Sequence, residues 1–394
     1  MAQNTALLET HSVSAPPSTA TTLPTIKIGT RRSALAQIQA RAVEKQLKDA
    51  FPDRTYAVHA VLAQGDLDKV TPLQQLSQGE NAKSLWTGEL EAMLELGELD
   101  MIVHCLKDMP TQLPPNLTLG CICPREDPRD VLCVSPKLAS TCKDLASLPE
   151  GSVIGTSSVR RAAQLRRLYP GLKFADLRGN VPTRLAKLDA EDSQYAGIIL
   201  AAAGLIRLGI QARITQFLSK DSGGMLHAVG QGTLAIEVRS NDTTVKELLA
   251  KVGSERNARA SLAQRALLRT LEGGCSVPIG VETEWKKPKK GVATGVEPAR
   301  EYGLDGKAVE EEEDDDEVGD DEELLLRAIV VSVDGKEFVE TEMVRKVASV
   351  AEAEAFGQDI AKILVAKGAD KILEKISKDK QWDAKKRLEA EASK

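Results

Sequence analysis

Two stretches of this chain echo each other: residues 28–41 read IGTRRSALAQIQAR and residues 154–167 read IGTSSVRRAAQLRR. Each follows a short apolar run with the composition of a strand, Ile26–Thr30 in the first copy and Ser152–Thr156 in the second. Each passes through Gly-Thr, hydroxyl side chains and paired arginines into a segment whose apolar residues recur at helical spacing. The second helix is stopped by Pro170-Gly171. The echo predicts two similar α/β domains, each presenting a helix N-terminus to a shared cleft. Strand-turn-helix units are common, so the echo alone does not exclude coincidence.

The intervening chain supports alternation. Gly88–Leu96 reads as a helix, Asp100–Leu106 as a buried strand ending in KDMP, and Gly197–Ala203 as a second apolar run ending in GLIRLG. Alternating strands and helices favour parallel sheets, whose ligands sit beyond the carboxyl ends of the strands. Lys107, Asp108, Arg207 and both Gly-Thr loops fall at such ends. The pattern changes after residue 240. Ser254 caps an expected helix that stops at Gly273-Gly274, residues 326–346 read as two alternating strands around Asp334-Gly335, and Val350–Lys367 is an amphipathic helix ending at Gly368. These elements describe a small α+β domain.

Charge narrows the ligand. The 394 residues carry a formal net charge of −6, but residues 310–323 hold twelve acids and no base, leaving +6 on the remainder. The acidic run reads as a solvated, disordered insertion. A mildly basic remainder with clustered arginines suits an anionic small molecule. Aromatic residues are only 3% of the chain, too few to stack nucleic-acid bases. No apolar run approaches the roughly 20 residues that span a bilayer. Six cysteines in so long a chain are not a disulfide framework, Cys121-Ile122-Cys123 is not a CxxC pair, and four histidines without a Cys/His cluster do not make a zinc site. The expected compartment is reducing and cytoplasmic. Residues 1–24, without Lys, Arg or an apolar core, fit neither a secretory signal nor a transit peptide and read as a disordered tail.

Three groups of residues can carry chemistry. Thr156-Ser157-Ser158-Val159-Arg160-Arg161 opens a helix, where free N–H groups, hydroxyls and guanidinium forks favour an anion. Arg178-Gly179-Asn180 and Arg184 extend that cluster, and Arg31 with Ser33 repeats it in the first half. Lys107-Asp108 closes a buried strand. The pair is either a salt bridge capping that strand or a carboxylate that moves protons and steadies a developing cation. Cys275 lies in EGGCSVPIG after a helix C-terminus, where the helix dipole disfavours a thiolate. On this chemistry a buried structural cysteine is favoured over a covalent anchor, although Gly273 and Gly274 let the backbone bring the sulfur close to a ligand.

The motifs GTRRSALAQIQA, ELDMIVHCLKDMPTQLP, REDPRDVL, GTSSVRRAAQLRR, LRGNVPTRLAKLD, ILAAAGLIRLG, AVGQGTLAIEVR and LEGGCSVPIG occur in that order between about residues 25 and 282. Together they resemble the porphobilinogen deaminase (hydroxymethylbilane synthase) family. The likeness is weaker toward the C-terminus. It implies a transferase that joins four porphobilinogen molecules head to tail into hydroxymethylbilane, releasing ammonia at each step on the way to haem.

The resemblance implies a dipyrromethane cofactor held by a thioether to Cys275. Asp108 would hold pyrrole N–H groups, help expel ammonia and stabilise the cationic azafulvene. Arg31, Arg160, Arg161, Arg178, Arg184 and Arg207 match family arginines, and Lys107 the catalytic-loop lysine. Thr156, Ser157, Ser158 and Ser33 match its hydroxyl contacts, Lys83 a lysine of the active-site loop, and Asp66 the GD pair before that loop. Six rings, each with an acetate and a propionate, explain why so many cations are needed. Two departures stand out: Cys105 replaces a usual serine and Gly88 a common lysine.

The implied fold is two periplasmic-binding-protein-like α/β domains enclosing the cleft, plus a small C-terminal α+β domain whose Cys275 loop faces it. The expected boundaries are 25–123 with 222–242 for domain one, 124–221 for domain two and 243–394 for domain three, with the disordered insertion at about 297–323. A monomer is expected, needing no metal, nucleic acid or membrane. Two other classes also fit a two-lobed cleft with a reactive thiol, a non-catalytic anion-binding protein and an acyltransferase using Cys275.

Overall fold

A computed structural model describes residues 23–63, 87–271, 277–287, 319 and 322–379. The expectations for the N-terminal tail, for Asp66, Lys83 and Cys275, and for most of the acidic run lie outside these residues.

The first lobe is a five-stranded sheet in the order β2-β1-β3-β10-β4, built from β1 (Ile26–Arg31), β2 (Tyr56–Val61), β3 (Met101–Cys105), β4 (Leu117–Ile122) and β10 (Leu234–Arg239). The second, in the order β7-β6-β8-β5-β9, uses β5 (Asp130–Val134), β6 (Val153–Gly155), β7 (Lys173–Ala175), β8 (Gly197–Ala201) and β9 (Gln216–Leu218). The orders superpose: β1 corresponds to β6, β2 to β7, β3 to β8, β10 to β5 and β4 to β9. The echo in the sequence is thus a repeat in topology. Gly29-Thr30 and Gly155-Thr156 occupy the same corner of the two lobes.

The sheets are mixed rather than parallel. In the first, β1 runs parallel to β2 and β3, while β10 is antiparallel to β3 and β4. In the second, β6 is parallel to β7 and β8, while β5 is antiparallel to β8 and β9. The reason lies in the crossings. Each antiparallel strand is the first one formed after the chain arrives from the other lobe, β5 after β4 and β10 after β9. Two crossover segments, 123–129 and 219–233, therefore join the lobes.

Serine side chains cap the two echo helices. Helix α1 (Ala34–Ala50) starts at Ser33, whose Oγ accepts from the Ala36 N–H at 3.3 Å. After α2 (Gly88–Glu95), α3 (Val159–Leu168) starts at Ser158, whose Oγ accepts from the Arg161 N–H at 3.4 Å. The two echo serines thus do the same work at the same place, each cap contributing about 1 kcal/mol. Helices α4 (Val181–Asp189) and α5 (Ala202–Arg207) complete the second lobe, and α6 (Thr243–Leu249) covers the first.

The third domain has a sheet ordered β11-β12-β13, from Ile279–Lys286, Glu323–Val331 and Phe338–Lys346, with α7 (Glu255–Thr270) and α8 (Val350–Ala366) packed together beside it. Only β13 alternates between exposed and half-buried positions. β12 is buried almost throughout, contrary to the alternation expected for it, because it is the central strand. Leu324, Leu326, Ala328 and Val330 join the α7–α8 core. On the opposite face Ile329 and Val331 meet Ala163 of α3 and Leu226 of the second crossover. Glu322 and Glu323, the last acids of the acidic run, belong to this fold rather than to a disordered insertion. Glu322 pairs with Arg256, and Glu323 begins β12.

Candidate active site

Lys107 and Asp108 sit in a single 3-10 turn, Leu106–Asp108, directly beyond the carboxyl end of β3. The buried Leu106 side chain and the Leu106 N–H bond to the Thr233 carbonyl, 3.0 Å, fix that turn against the second crossover. Both Lys107 and Asp108 are half-buried. Lys107 Nζ donates to Gln231 Oε1 at 3.4 Å. Burial lowers the Lys107 pKa, and the nearby Arg161 works in the same direction against Asp108 and Asp130.

Across the lobe boundary, Arg160 and Arg161 leave the first turn of α3 and are turned inward rather than open to solvent. Both are 6% exposed and converge on Asp130, the fully buried first residue of β5. Arg160 Nη1 lies 2.7 Å from Asp130 Oδ2 and also donates to the Leu226 carbonyl at 2.7 Å. Arg161 Nε lies 2.9 Å from Asp130 Oδ1, and its Nη1 donates to the Ile199 carbonyl at 2.8 Å. Burial alone would raise the Asp130 pKa; the two guanidinium groups hold it well below the carboxylate range.

The remaining expected residues divide. Arg184 donates from Nε to the Gly179 carbonyl at 2.7 Å. Burial, with Arg161 and Arg178 beside it, pulls its pKa down to about 10. Asp108 faces both Arg161 and Arg184 electrostatically, so Asp108, Arg161, Arg178 and Arg184 form one group. Thr156 Oγ1 accepts from the Ser158 N–H at 3.2 Å and Ser157 Oγ from the Leu177 N–H at 3.1 Å, which leaves each hydroxyl proton to donate. Arg31 ends β1 beside β3, at the sheet edge where Lys107 emerges. Arg207 is turned to the crossovers: Nε donates to Glu126 Oε1 at 2.8 Å and Nη2 to the Gly232 carbonyl at 2.9 Å. Cys105 Sγ accepts from Gln39 Nε2 at 3.2 Å, so the replacement for the usual serine keeps a partner.

Two residues escaped the sequence reading. Asp130 was visible only as the acid opening an apolar run, DVLCV, and Gln231 only as part of GQG. Their importance comes from partners about a hundred positions away: Gln231 Nε2 donates to Asp130 Oδ1 at 3.0 Å.

The donor set can be tested against a bound polycarboxylate. Lys107, Arg160, Arg161 and Arg184 gather around the carboxylates of Asp108 and Asp130, and Arg178 lies beside Arg184. Positive charge is in excess, and the crowded cations depress one another. An anion bearing several carboxylates relieves that repulsion, so the dipyrromethane group fits these residues.

Comparison with known proteins gives the same answer. Residues 26–247 match the profile described as porphobilinogen deaminase, dipyromethane cofactor binding domain, and residues 258–292 match the C-terminal domain of the same family. The porphobilinogen deaminase of Neurospora crassa is 47% identical over 354 residues, covering 89% of this chain and 93% of that protein. That of Saccharomyces cerevisiae is 42% identical over 361 residues, covering 90% and 98%. Solved structures such as the periplasmic aliphatic sulphonate binding protein of Escherichia coli are distant, with TM-score 0.34, 14% identity, and coverage of 63% of this chain and 70% of that one. The family profile spans more than half of the sequence in the region that builds both lobes, and the chain belongs to the porphobilinogen deaminase family.

Proposed function

We propose that this transferase condenses porphobilinogen at the junction of its lobes, with Asp108 as the catalytic carboxylate and the Lys107–Arg161–Arg184 group as the carboxylate-binding wall. The observation that supports it most directly is electrostatic. Cations from both lobes crowd around one half-buried aspartate at a strand end. When held through Cys275, the dipyrromethane would supply the pyrrole end for chain growth. Arg161, Arg178 and Arg184 hold acetate and propionate groups by charge-assisted hydrogen bonds, and the hydroxyls of Thr156, Ser157 and Ser158 add donors. Asp108 accepts pyrrole N–H groups and balances the positive charge that develops as porphobilinogen loses ammonia. Arg31, Ser33, Arg207, Lys83 and Asp66 complete the substrate side in this reading. The three domains are assigned as 25–123 with 222–242, 124–221, and 243–394.

The enzyme is proposed to act as a cytoplasmic monomer. Among the described residues no helix is long and apolar enough to cross a membrane, and the five described cysteines are free thiols, as a reducing compartment leaves them.

Two measurements test the reading. The intact mass of the purified protein should exceed the sequence mass by two pyrrole units, with the addition on the Cys275 peptide. Asp108→Ala should stay folded and lose turnover by a factor of about 100 or more. A variant that keeps over a tenth of wild-type turnover removes Asp108 from the central role.

A further inference from the structure

Gln231 is 1% exposed and lies in the second crossover, three residues before β10. Its side-chain orientation is fixed by chemistry. Nε2 lies 2.8 Å from the Pro128 carbonyl and 3.0 Å from Asp130 Oδ1, and both partners can only accept. The flipped amide would set its oxygen against two acceptors and its NH2 against an ammonium. Oε1 must therefore face Lys107 Nζ, where it is found at 3.4 Å, a long, weak contact beyond the usual range of about 2.7–3.2 Å. The amide thus receives from the first lobe and donates to the second.

The same residue sits where the crossovers touch. The Gln231 carbonyl accepts from Arg125 Nε at 2.9 Å, and Arg125 Nη1 reaches Thr283 Oγ1 of the third domain at 3.0 Å. The neighbouring Gly232 carbonyl accepts from the Glu126 N–H at 3.2 Å and from Arg207 Nη2 at 2.9 Å. A change in the angle between the lobes must pass through this contact.

We propose that Gln231 is a positioning residue of the active site: its amide, pinned by Asp130 and Pro128, holds the Lys107 ammonium in register with the paired arginines across the lobe hinge. A neutral acceptor suits the task. The charged and titratable groups facing Lys107 are Asp108 and Cys105 on its own segment, with Arg161 and Asp130 from the second lobe. An amide oxygen steadies the ammonium in that company without adding charge that would compete for the arginines. The catalytic consequence rests on the reading of Lys107 as a site residue; the contact itself does not.

The test is the titration of Lys107 in the full-length holoenzyme, read by NMR of 13C-labelled lysine, with the resonance assigned through Lys107→Arg. Gln231→Leu removes the acceptor and should lower the Lys107 midpoint by about one pH unit; Gln231→Glu adds a negative charge and should raise it by a similar amount. Turnover should fall about tenfold in Gln231→Leu with KM changed less than about threefold. A general loss of structure does not produce opposite shifts in two variants. If Gln231→Leu does not fold, the direction of the shift in Gln231→Glu decides. Unmoved midpoints in the folded variants overturn the proposal. Shifted midpoints with unchanged turnover leave the contact standing, but overturn the place of Lys107 in the site and with it the positioning role of Gln231.

Discussion

Asp130 and Arg161 form a buried ion pair, Nη2 to Oδ1 at 2.7 Å, that ties the first strand of the second lobe to the first turn of its arginine-bearing helix. The other carboxylate oxygen holds Arg160. One aspartate thus fixes two neighbouring cations whose mutual repulsion would otherwise splay them. Asp130, Arg160 and Arg161 together remain net positive, which is what an incoming carboxylate requires.

Asp130→Asn should therefore cost more than a surface salt bridge. It leaves two buried guanidinium groups facing a neutral amide, a loss of about 3–5 kcal/mol. The pH dependence has a definite sign. The folded pKa of Asp130 is depressed, so its contribution is complete above the unfolded value of about 4 and is lost as pH falls toward the folded value. Urea unfolding should show wild type well above Asp130→Asn at pH 7, with the gap narrowing below about pH 4. A gap that stays constant with pH would show that the arginines do not depend on the Asp130 charge.

Glu91 predicts the opposite slope. This residue of α2 is 8% exposed and lies near Glu237 and His104, which pair at 3.0 Å between Oε2 and Nε2. Burial, reinforced by Glu237 and opposed by Thr87 and His104, raises the Glu91 pKa. A carboxyl raised in the folded state stabilises below its unfolded value of about 4.3, and that stability is lost as pH rises through the folded value. Glu91→Gln should match wild type near pH 4 and exceed it in urea unfolding at pH 8. A variant less stable than wild type at pH 8 would show that the ionised carboxylate is held in place by its surroundings.

These two acids mark where sequence reading stopped. The Gly-Thr turns, the helices that follow them, and the clustering of Arg160, Arg161 and Lys107 are local in chain or in pattern, and they were legible. The burial of Arg160 and Arg161 was not, because it depends on Asp130, about thirty positions earlier and on a strand rather than on their helix. The antiparallel β5 and β10 were hidden for a similar reason. Strand direction is set by how the chain re-enters a lobe, which periodicity does not encode. The continuous burial of β12 follows from its central place between β11 and β13, again a matter of neighbours distant in sequence.

Cys105 and Cys133 should be poor nucleophiles. Burial is the first cause raising the Cys105 pKa, with Asp108 adding to it, and burial pushes the fully buried Cys133 up to about 12. Alkylation proceeds through the thiolate. Native protein treated briefly with iodoacetamide at pH 7.5 should yield Cys105 and Cys133 peptides almost unmodified, while the urea-unfolded chain is labelled at both. Rapid native labelling of Cys105 would show that its sulfur is ionised beside Asp108.

The contact between the two crossovers makes the last prediction. Gly232 has φ of +87°, and a Cβ there would lie 2.3 Å from the Glu126 carbonyl oxygen and 3.2 Å from Pro128 Cα. Those are backbone atoms of the first crossover, which cannot swing aside as a side-chain tip can. Gly151 separates the two effects, since it also has positive φ, +79°, but open space around the added atom. Gly151→Ala should cost only the left-handed strain, about 1–2 kcal/mol, and keep its turnover. Gly232→Ala carries the same strain and must also force the crossovers apart at the Glu126–Gly232 hydrogen bond, beside the Gln231 contact to Lys107. It should lose clearly more stability in urea unfolding and lower turnover as well. Equal losses from the two substitutions would mean that the crossovers separate freely at this point, and that the lobe angle is set elsewhere.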